Sequence, residues 1–425
     1  MKGEKGVNSF SDKGAPTSLG APLFASEPQW IDGKLKFPSN SYLKSLAIND
    51  DNIEVEFVPR KKVALLFISI NDRYWPYLSQ CIKDCKKNFL PQHNVDYFVW
   101  TDYNKESTEK ILSAVKELDK GMEDPATKEA CSQASLQTFS NILRLHSIFQ
   151  PEYAQQLFNT LQQNGLVYKT EGAKTWIEST RPLNELDYKI FNEMSISILN
   201  NSFSEMDSAL KGAILSETEP VEWPAPTLMR FHLFLSKKEE LKDYDYIFYM
   251  DADMRIVEKV SDEILGEGLT TAPHPGYALA DNLNAPYESN PESAAFIPRL
   301  GQTSDENGKK SFRPFYAAGG FQGGEATTYI AAMEKMKSMI DNDFNKNYIA
   351  RWNDESYFNR HLFDYQQKGG KINFLDVSYI YPDSLIKEYY EPKVWGKSFS
   401  PKIITLTKPF TLSVQAAEEL KKITA

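Results

Sequence analysis

Hydrophobic residues fall into two regimes along the chain. Lys62 to Ile70 reads KVALLFISI, a short continuous apolar run headed by charges, and Val95 to Trp100 reads VDYFVW. Runs of this length, apolar at both parities, predict strands buried on both faces of a parallel sheet. Between them, Tyr74 to about Phe89 has helical spacing, with Asn71-Asp72 placed to cap it and Pro91 to end it. The β-α-β order predicts an α/β fold with right-handed crossovers. From residue 105 to about 225 the period becomes helical throughout and no strong strand interrupts it, so this stretch is expected to be a helical insertion. The sheet pattern then resumes, with an amphipathic helix from Met229 to Leu241 and a strand from Tyr244 to Met250. A glycine cluster near 319–324 follows, then helices from Ala326 to about Asp341 and from near Asn353. The resulting division is an arm over 1–45 that is flexible or loosely docked, a catalytic domain split into 46–104 and 226–410 by the insertion 105–225, and a tail over 411–425.

Composition narrows the class of protein. The chain has 425 residues with a net charge of −10 and no basic stripe, which argues against nucleic acid as the main partner. An acidic protein that binds an anionic ligand must neutralise it locally, through a metal ion or a few placed cations. The three cysteines, Cys81, Cys85 and Cys131, are too few for a disulfide framework and read as small apolar residues. No segment reaches the roughly 20 apolar residues of a membrane helix and no signal-peptide run is seen, so a cytoplasmic or otherwise soluble protein is expected.

Four features carry candidate chemistry. Asp251-Ala252-Asp253 emerges from an apolar strand, at the end where open α/β sheets bind ligands. Two carboxylates so placed suit Mn²⁺ or Mg²⁺, hard cations that share their coordination sphere with phosphate oxygens. An acidic triplet alone is equally at home on a solvated turn. Asp354-Glu355 stands at a helix start, where the helix dipole alone accounts for acids, although carboxylates also bind sugar hydroxyls and stabilise or attack anomeric carbons. The glycines of Tyr316–Gly324 match no dinucleotide fingerprint or P-loop. They allow close backbone approach, whether to a ligand or in a bulge. His274 lies on a proline-flanked loop.

In order along the chain, Met229-Arg230, the strand ending in Asp251-Ala252-Asp253, His274-Pro275-Gly276-Tyr277, Tyr287-Glu288, Pro291–Pro298, Ala318–Gly324 and Trp352-Asn353-Asp354-Glu355-Ser356 resemble the family-six glycosyltransferases, the family of the histo-blood-group A and B transferases, α-galactosyltransferases and their bacterial relatives. The resemblance implies a GT-A fold. It implies a retaining, metal-dependent hexosyl transfer from a UDP-sugar, carrying galactose or N-acetylgalactosamine, to a glycan acceptor. By position, Phe67, Ile68 and Tyr74 are implied to line the uridine site, Asp251 and Asp253 to hold the metal and ribose, and Ala252 between them to bind the donor. Arg230, Asp354, Ala318, Gly319 and Gly320 are implied on the donor sugar, and Lys408 on the diphosphate. His274, Trp352 and Glu355 are implied on the acceptor, with Glu355 also the nucleophile or cation stabiliser. The family usually has His where this chain has Asn353, its turn at Ser69–Arg73 is shorter, and the segments 301–314 and 105–225 are additions. Two other readings are a non-catalytic carbohydrate- or nucleotide-binding module that engages a protein partner, and a transferase acting on a protein side chain.

Overall fold

The computed structural model describes residues 29–31, 34–36, 40–49, 52–149, 151–171, 174–277, 285–298, 316–383 and 400–406. In chain order, β1 (Gln29–Ile31) and β2 (Lys34–Lys36) pair as a small ribbon, and β3 (Ser41–Asn49) pairs with β4 (Asn52–Pro59). The expected arm therefore carries strands from Gln29 onward, as the alternation of Gln29-Trp30-Ile31 and Lys34-Leu35-Lys36 permits.

The main body follows. It comprises β5 (Lys62–Ser69), α1 (Trp75–Asn88), β6 (Asn94–Thr101), α2 (Lys105–Glu123), α3 (Lys128–Phe149), α4 (Pro151–Gln163), β7 (Leu166–Glu171), β8 (Lys174–Ser179), α5 (Glu185–Leu210) and β9 (Ile214–Glu217). It continues with α6 (Ala225–Leu228), α7 (Arg230–Leu235), α8 (Lys238–Leu241), β10 (Tyr246–Met250), β11 (Met254–Ile256), β12 (Leu269–Pro273), β13 (Ala317–Glu325), α9 (Ala326–Phe344), α10 (Asn353–Gln367), β14 (Ile372–Phe374), β15 (Tyr381–Pro382) and β16 (Ile403–Thr405). The architecture is mixed α/β around a seven-stranded sheet of order β14-β12-β13-β10-β5-β6-β9. Among its strands β13 alone runs against the rest, because its pairings with β10 and β12 are antiparallel and the other pairings are parallel.

The two parities of the apolar runs serve two cores. Val63, Leu65 and Phe67 of β5 pack with Val99, Phe248 and the helix α1 on one face. Ala64 and Leu66 pack with Phe98, Trp100, Ile247 and the helices α7, α9 and α10 on the other. A third cluster, around Phe139, Leu143, Phe191 and Ile198, is internal to the helical segment. That segment also holds strands that its helical period hid. β7 and β8 form an antiparallel hairpin, and β9, four residues long, joins the main sheet beside β6. The expected helix Met229–Leu241 is broken into α7 and α8 at Ser236, whose hydroxyl bonds back to the Leu233 carbonyl at 2.6 Å and competes with the helical ladder. Asn71 makes no side-chain cap, and a short 3₁₀ turn, Asp72–Tyr74, leads into α1 instead. The three cysteines are free and buried. No described helix is long and apolar enough to cross a membrane.

Candidate functional site

One edge of the sheet gathers the candidate chemistry. The carboxyl ends of β5, β6, β10 and β12 and the amino end of β13 lie on that edge. It thus carries Asn71, Asp102, Asp251, His274 and Ala317–Gly320 together. The glycine cluster lies in a strand: residues 317–325 form β13, an interior strand of the sheet between β12 and β10, buried along nearly its whole length. Its glycines answer to contacts the sequence could not show. A Cβ on Gly323 would stand 2.3 Å from the Ile247 carbonyl, and one on Gly320 would stand 2.7 Å from Asp251 Oδ2 and 2.6 Å from Met254 Cε.

Arg230, at the start of α7, is buried at 4% exposure. Its guanidinium reaches Asp354 Oδ2 at 2.9 Å and Asp251 Oδ1 at 3.5 Å, donates to the Gly319 carbonyl at 3.2 Å, and lies over the Tyr249 ring at 4.2 Å. Burial opposes its charge, but Asp354, Tyr249 and Asp251 around it raise its pKa further, so it stays cationic. Tyr249 donates its hydroxyl to Asp251, and burial drives that phenol's pKa up.

Asp354 is buried in the first turn of α10, and burial pushes its carboxyl up to about 7 against the lowering pull of Arg230. Glu355 is also raised to about 7 by burial, while the Gly319 N–H donates to its Oε2 at 2.8 Å and works the other way. The Gly319 peptide thus faces Glu355 with its N–H and Arg230 with its carbonyl. Asn353, which opens α10, has φ 47, a left-handed conformation that asparagine tolerates better than most residues.

Asp251 keeps 29% of its side chain exposed, whereas Asp253 is buried at 2%. The main chain of Asp253 is tied to the far end of the molecule: β11 pairs with β16, and the Leu406 N–H donates to the Asp253 carbonyl at 2.9 Å. Lys408 itself lies outside the described residues, as do the added loop over 301–314 and the tail 411–425. Among the described residues no group of three or more His, Cys, Asp or Glu side chains forms a ready metal cage. Two carboxylates at a partly open strand end do fit a hard cation that takes its remaining oxygens from water and phosphate.

The acceptor candidates lie in an aromatic setting. His274 packs against Tyr277 and Tyr316, with centroids 5.2 and 5.9 Å apart, and Tyr287 packs on Tyr316 at 5.3 Å. Burial lowers the His274 pKa, and its Nδ1 accepts the Gly276 N–H at 3.2 Å, so its proton sits on Nε2. The buried Tyr316 phenol is raised by burial and by Glu355 beside it. Trp352 is 44% exposed just ahead of α10.

Of the three uridine candidates, Phe67 is fully buried in the core under α1, Ile68 is partly buried at the strand end, and Tyr74 is partly buried at the end of the 3₁₀ turn. Ala252 and Ala318 are core residues. Glu288 and Ser293, which belong to the ordered motifs, act as braces. Glu288 accepts the Arg351 N–H at 2.7 Å ahead of α10, and the Ser293 hydroxyl donates to buried Asp343 at 2.6 Å. Tyr249, Gln322 and Asp102 also support the site. Sequence reasoning missed the first two because alternate positions of a buried strand resemble plain core.

A buried arginine that binds two carboxylates thus stands at the carboxyl edge of the α/β sheet, beside the acid Glu355. Residues 219–387 match the model of glycosyltransferase family 6, which supports glycosyl transfer as the activity of that segment. The chain is 27% identical over 187 residues to the O-antigen biosynthesis glycosyltransferase WbnI of Escherichia coli, covering 44% of this chain and 69% of that protein. It is 28% identical over 178 residues to the histo-blood group ABO system transferase 1 of Rattus norvegicus, covering 41% and 47%. To the globoside alpha-1,3-N-acetylgalactosaminyltransferase 1 of Mus musculus it is 32% identical over 125 residues, covering 29% and 33%. The chain thus spans less than half the length of the two animal relatives.

Proposed function

We propose that the protein is a GT-A-fold enzyme that moves a hexose from a UDP-sugar to an acceptor hydroxyl with retention at the anomeric carbon. The array Arg230–Asp354–Asp251 with Glu355 beside it carries this reading, because it gathers a fixed cation, a buried acid and a second, protonatable acid at the carboxyl edge of the sheet. A divalent cation, Mn²⁺ or Mg²⁺, held by Asp251 and Asp253, would supply charge to offset that developing on the departing diphosphate.

The chain's own groups do the rest. Arg230 and Asp354 orient the donor sugar through its hydroxyls. The bond from the anomeric carbon to the diphosphate oxygen breaks, and the electron pair leaves with UDP. Glu355, ionised, faces the electron-poor anomeric carbon as stabilising charge, or as nucleophile whose bond to that carbon breaks again when the acceptor attacks. The acceptor oxygen forms the new bond and its proton passes to the departed phosphate oxygen. His274 and Trp352 offer the acceptor an aromatic and hydrogen-bonding wall. The neutral imidazole can donate from Nε2 without adding charge beside Glu355.

UDP-galactose and UDP-N-acetylgalactosamine both suit the site. The space at Gly320 is filled by Asp251 and Met254, so that glycine does not make room for an N-acetyl group. The name of the mouse globoside relative supports the N-acetylgalactosamine donor. The acceptor is a glycan on this reading, in keeping with the similarity to an O-antigen biosynthesis glycosyltransferase and a globoside transferase.

UDP release from UDP-hexoses in the presence of Mn²⁺ tests the proposal. Glu355→Gln should lower turnover by ~10²-fold or more, the usual scale for a positioned charge. Turnover equal to wild type removes Glu355 from the mechanism. If no UDP-hexose is turned over by the wild-type protein, the whole reading falls.

A further inference from the structure

In an open α/β sheet, ligands settle outside the carboxyl ends of strands at the point where the strand order reverses. Here β6 lies on one side of β5 and β10 on the other, so the reversal falls between β5 and β10. One wall of that crevice is Asp251–Asp253. The other is the turn after β5, Ile70–Tyr74. Asn71 in that turn has φ 80 and ψ 140, which lies outside the left-handed helical region that asparagine tolerates and is costly for any residue with a side chain. Capping of the following helix does not hold it there, because the Asn71 side chain makes no cap bond.

Asp102, the residue just past β6, holds it. The Asn71 N–H donates to both carboxylate oxygens of Asp102, at 3.0 and 2.9 Å. The Asn71 side-chain amide donates to the Val221 carbonyl at 3.1 Å, which ties the turn to the segment leading to Arg230. Asp102 is itself fixed. It is 8% exposed, and its Oδ1 accepts the indole N–H of Trp75 at 2.9 Å. Trp75 is met edge-on by Tyr103 and by Phe203 of α5, with centroids 5.0 and 6.3 Å away. The Tyr103 hydroxyl donates to Asp207 at 2.8 Å on the same helix. A buried carboxylate that spends its acceptors on one strained turn and one indole is an organised support.

We propose that Asp102 is a positioning residue for the nucleotide of the donor: it sets the strained Asn71 turn as one wall of the nucleotide crevice, and it touches no reacting atom. α5, through Phe203 and Trp75, braces that wall, which gives the helical segment a part in donor binding. The inference rests on the nucleotide-sugar reading above.

Calorimetry with UDP and Mn²⁺, and steady-state turnover of a UDP-hexose, test it on wild type, Asp102→Asn, Asn71→Ala and Asn71→Gly. Asp102→Asn should raise both the Kd for UDP and the KM for the UDP-sugar about tenfold, the scale of losing hydrogen bonds to a buried carboxylate, with kcat within about threefold of wild type. Asn71→Ala should raise KM about fivefold more than Asn71→Gly does, because only glycine adopts this positive-φ turn without strain. An unchanged KM and Kd in Asp102→Asn overturns the proposal, as does a loss of kcat at constant KM. If Asp102→Asn does not fold, the Asn71 pair decides, and equal KM values there overturn the proposal. A wild-type protein that neither binds UDP nor turns over a UDP-hexose overturns the nucleotide-sugar reading itself, and this inference with it.

Discussion

The two acidic pairs differ in one member: Asp251 is partly open, whereas Asp253, at 2% exposure, is as buried as Asp354. Asp251 and Asp253 flank a turn at a strand end. Asp251 is partly open to solvent, and its carboxylate is met by Arg230 and the Tyr249 hydroxyl. Asp354 and Glu355 sit in the first turn of α10, where burial drives both carboxyls up to about 7. On the proposed function the strand pair would hold the cation and Glu355 would face the reacting carbon, a division that rests on burial and on the partners each acid meets.

Removing the residue that joins the two pairs should have the largest effect. Arg230→Ala leaves Asp354 buried without its cation, and chemical denaturation should show a loss of roughly 3–5 kcal/mol, the scale for breaking a buried ion pair from one side. A smaller loss would mean that Asp354 simply takes up a proton. Gly320→Ala comes next. Its Cβ would meet Asp251 Oδ2 and Met254 Cε well inside contact distance, so a stability loss of about 1–3 kcal/mol is expected. Mn²⁺-dependent UDP binding should weaken with it, because the displaced group is the strand-pair carboxylate. Loss of stability with normal Mn²⁺ dependence would separate Gly320 from the cation site.

The smallest effect is one of pH. In the folded protein burial raises Asp354 and Glu355 to about 7, from ordinary values of 3.8 and 4.5. The folded protein therefore holds these protons after the unfolded chain has released them. Stability should fall as pH rises from about 4 to about 7, and no further change from this source should follow above that. In Glu355→Gln the slope of unfolding free energy against pH in that window should be shallower by at most about one proton. An identical slope in wild type and variant would show that Glu355 titrates normally.

Much of this arrangement was legible in the residues. The apolar runs of β5, β6 and β10 announced buried strands, and the spacing of α9 and α10 announced helices. The two acid pairs and Arg230 stood out by their order along the chain. β13 did not read as a strand, because AAGGFQGGE trades side chains for close approach to Asp251, Ile247 and Gly268, and those contacts exist only in three dimensions. β9 is too short to show a period, and β7 and β8 hide their alternation between helical stretches. The burial of Phe67 was also invisible: the strand-end position that resembles a ligand contact points into the core beneath α1. Asp102 read as the close of a strand, and only its hydrogen bonds to Asn71 and Trp75 revealed what it supports.

The division of labour between the pairs is tested most directly by calorimetric titration of UDP, with and without Mn²⁺, into Asp253→Ala and Glu355→Gln. The account predicts that Asp253→Ala loses the Mn²⁺-dependent part of UDP binding, while Glu355→Gln binds UDP as the wild-type protein does and retains its dependence on Mn²⁺. Full Mn²⁺ dependence in Asp253→Ala, or its loss in Glu355→Gln, would contradict the assignment of the cation to the strand pair.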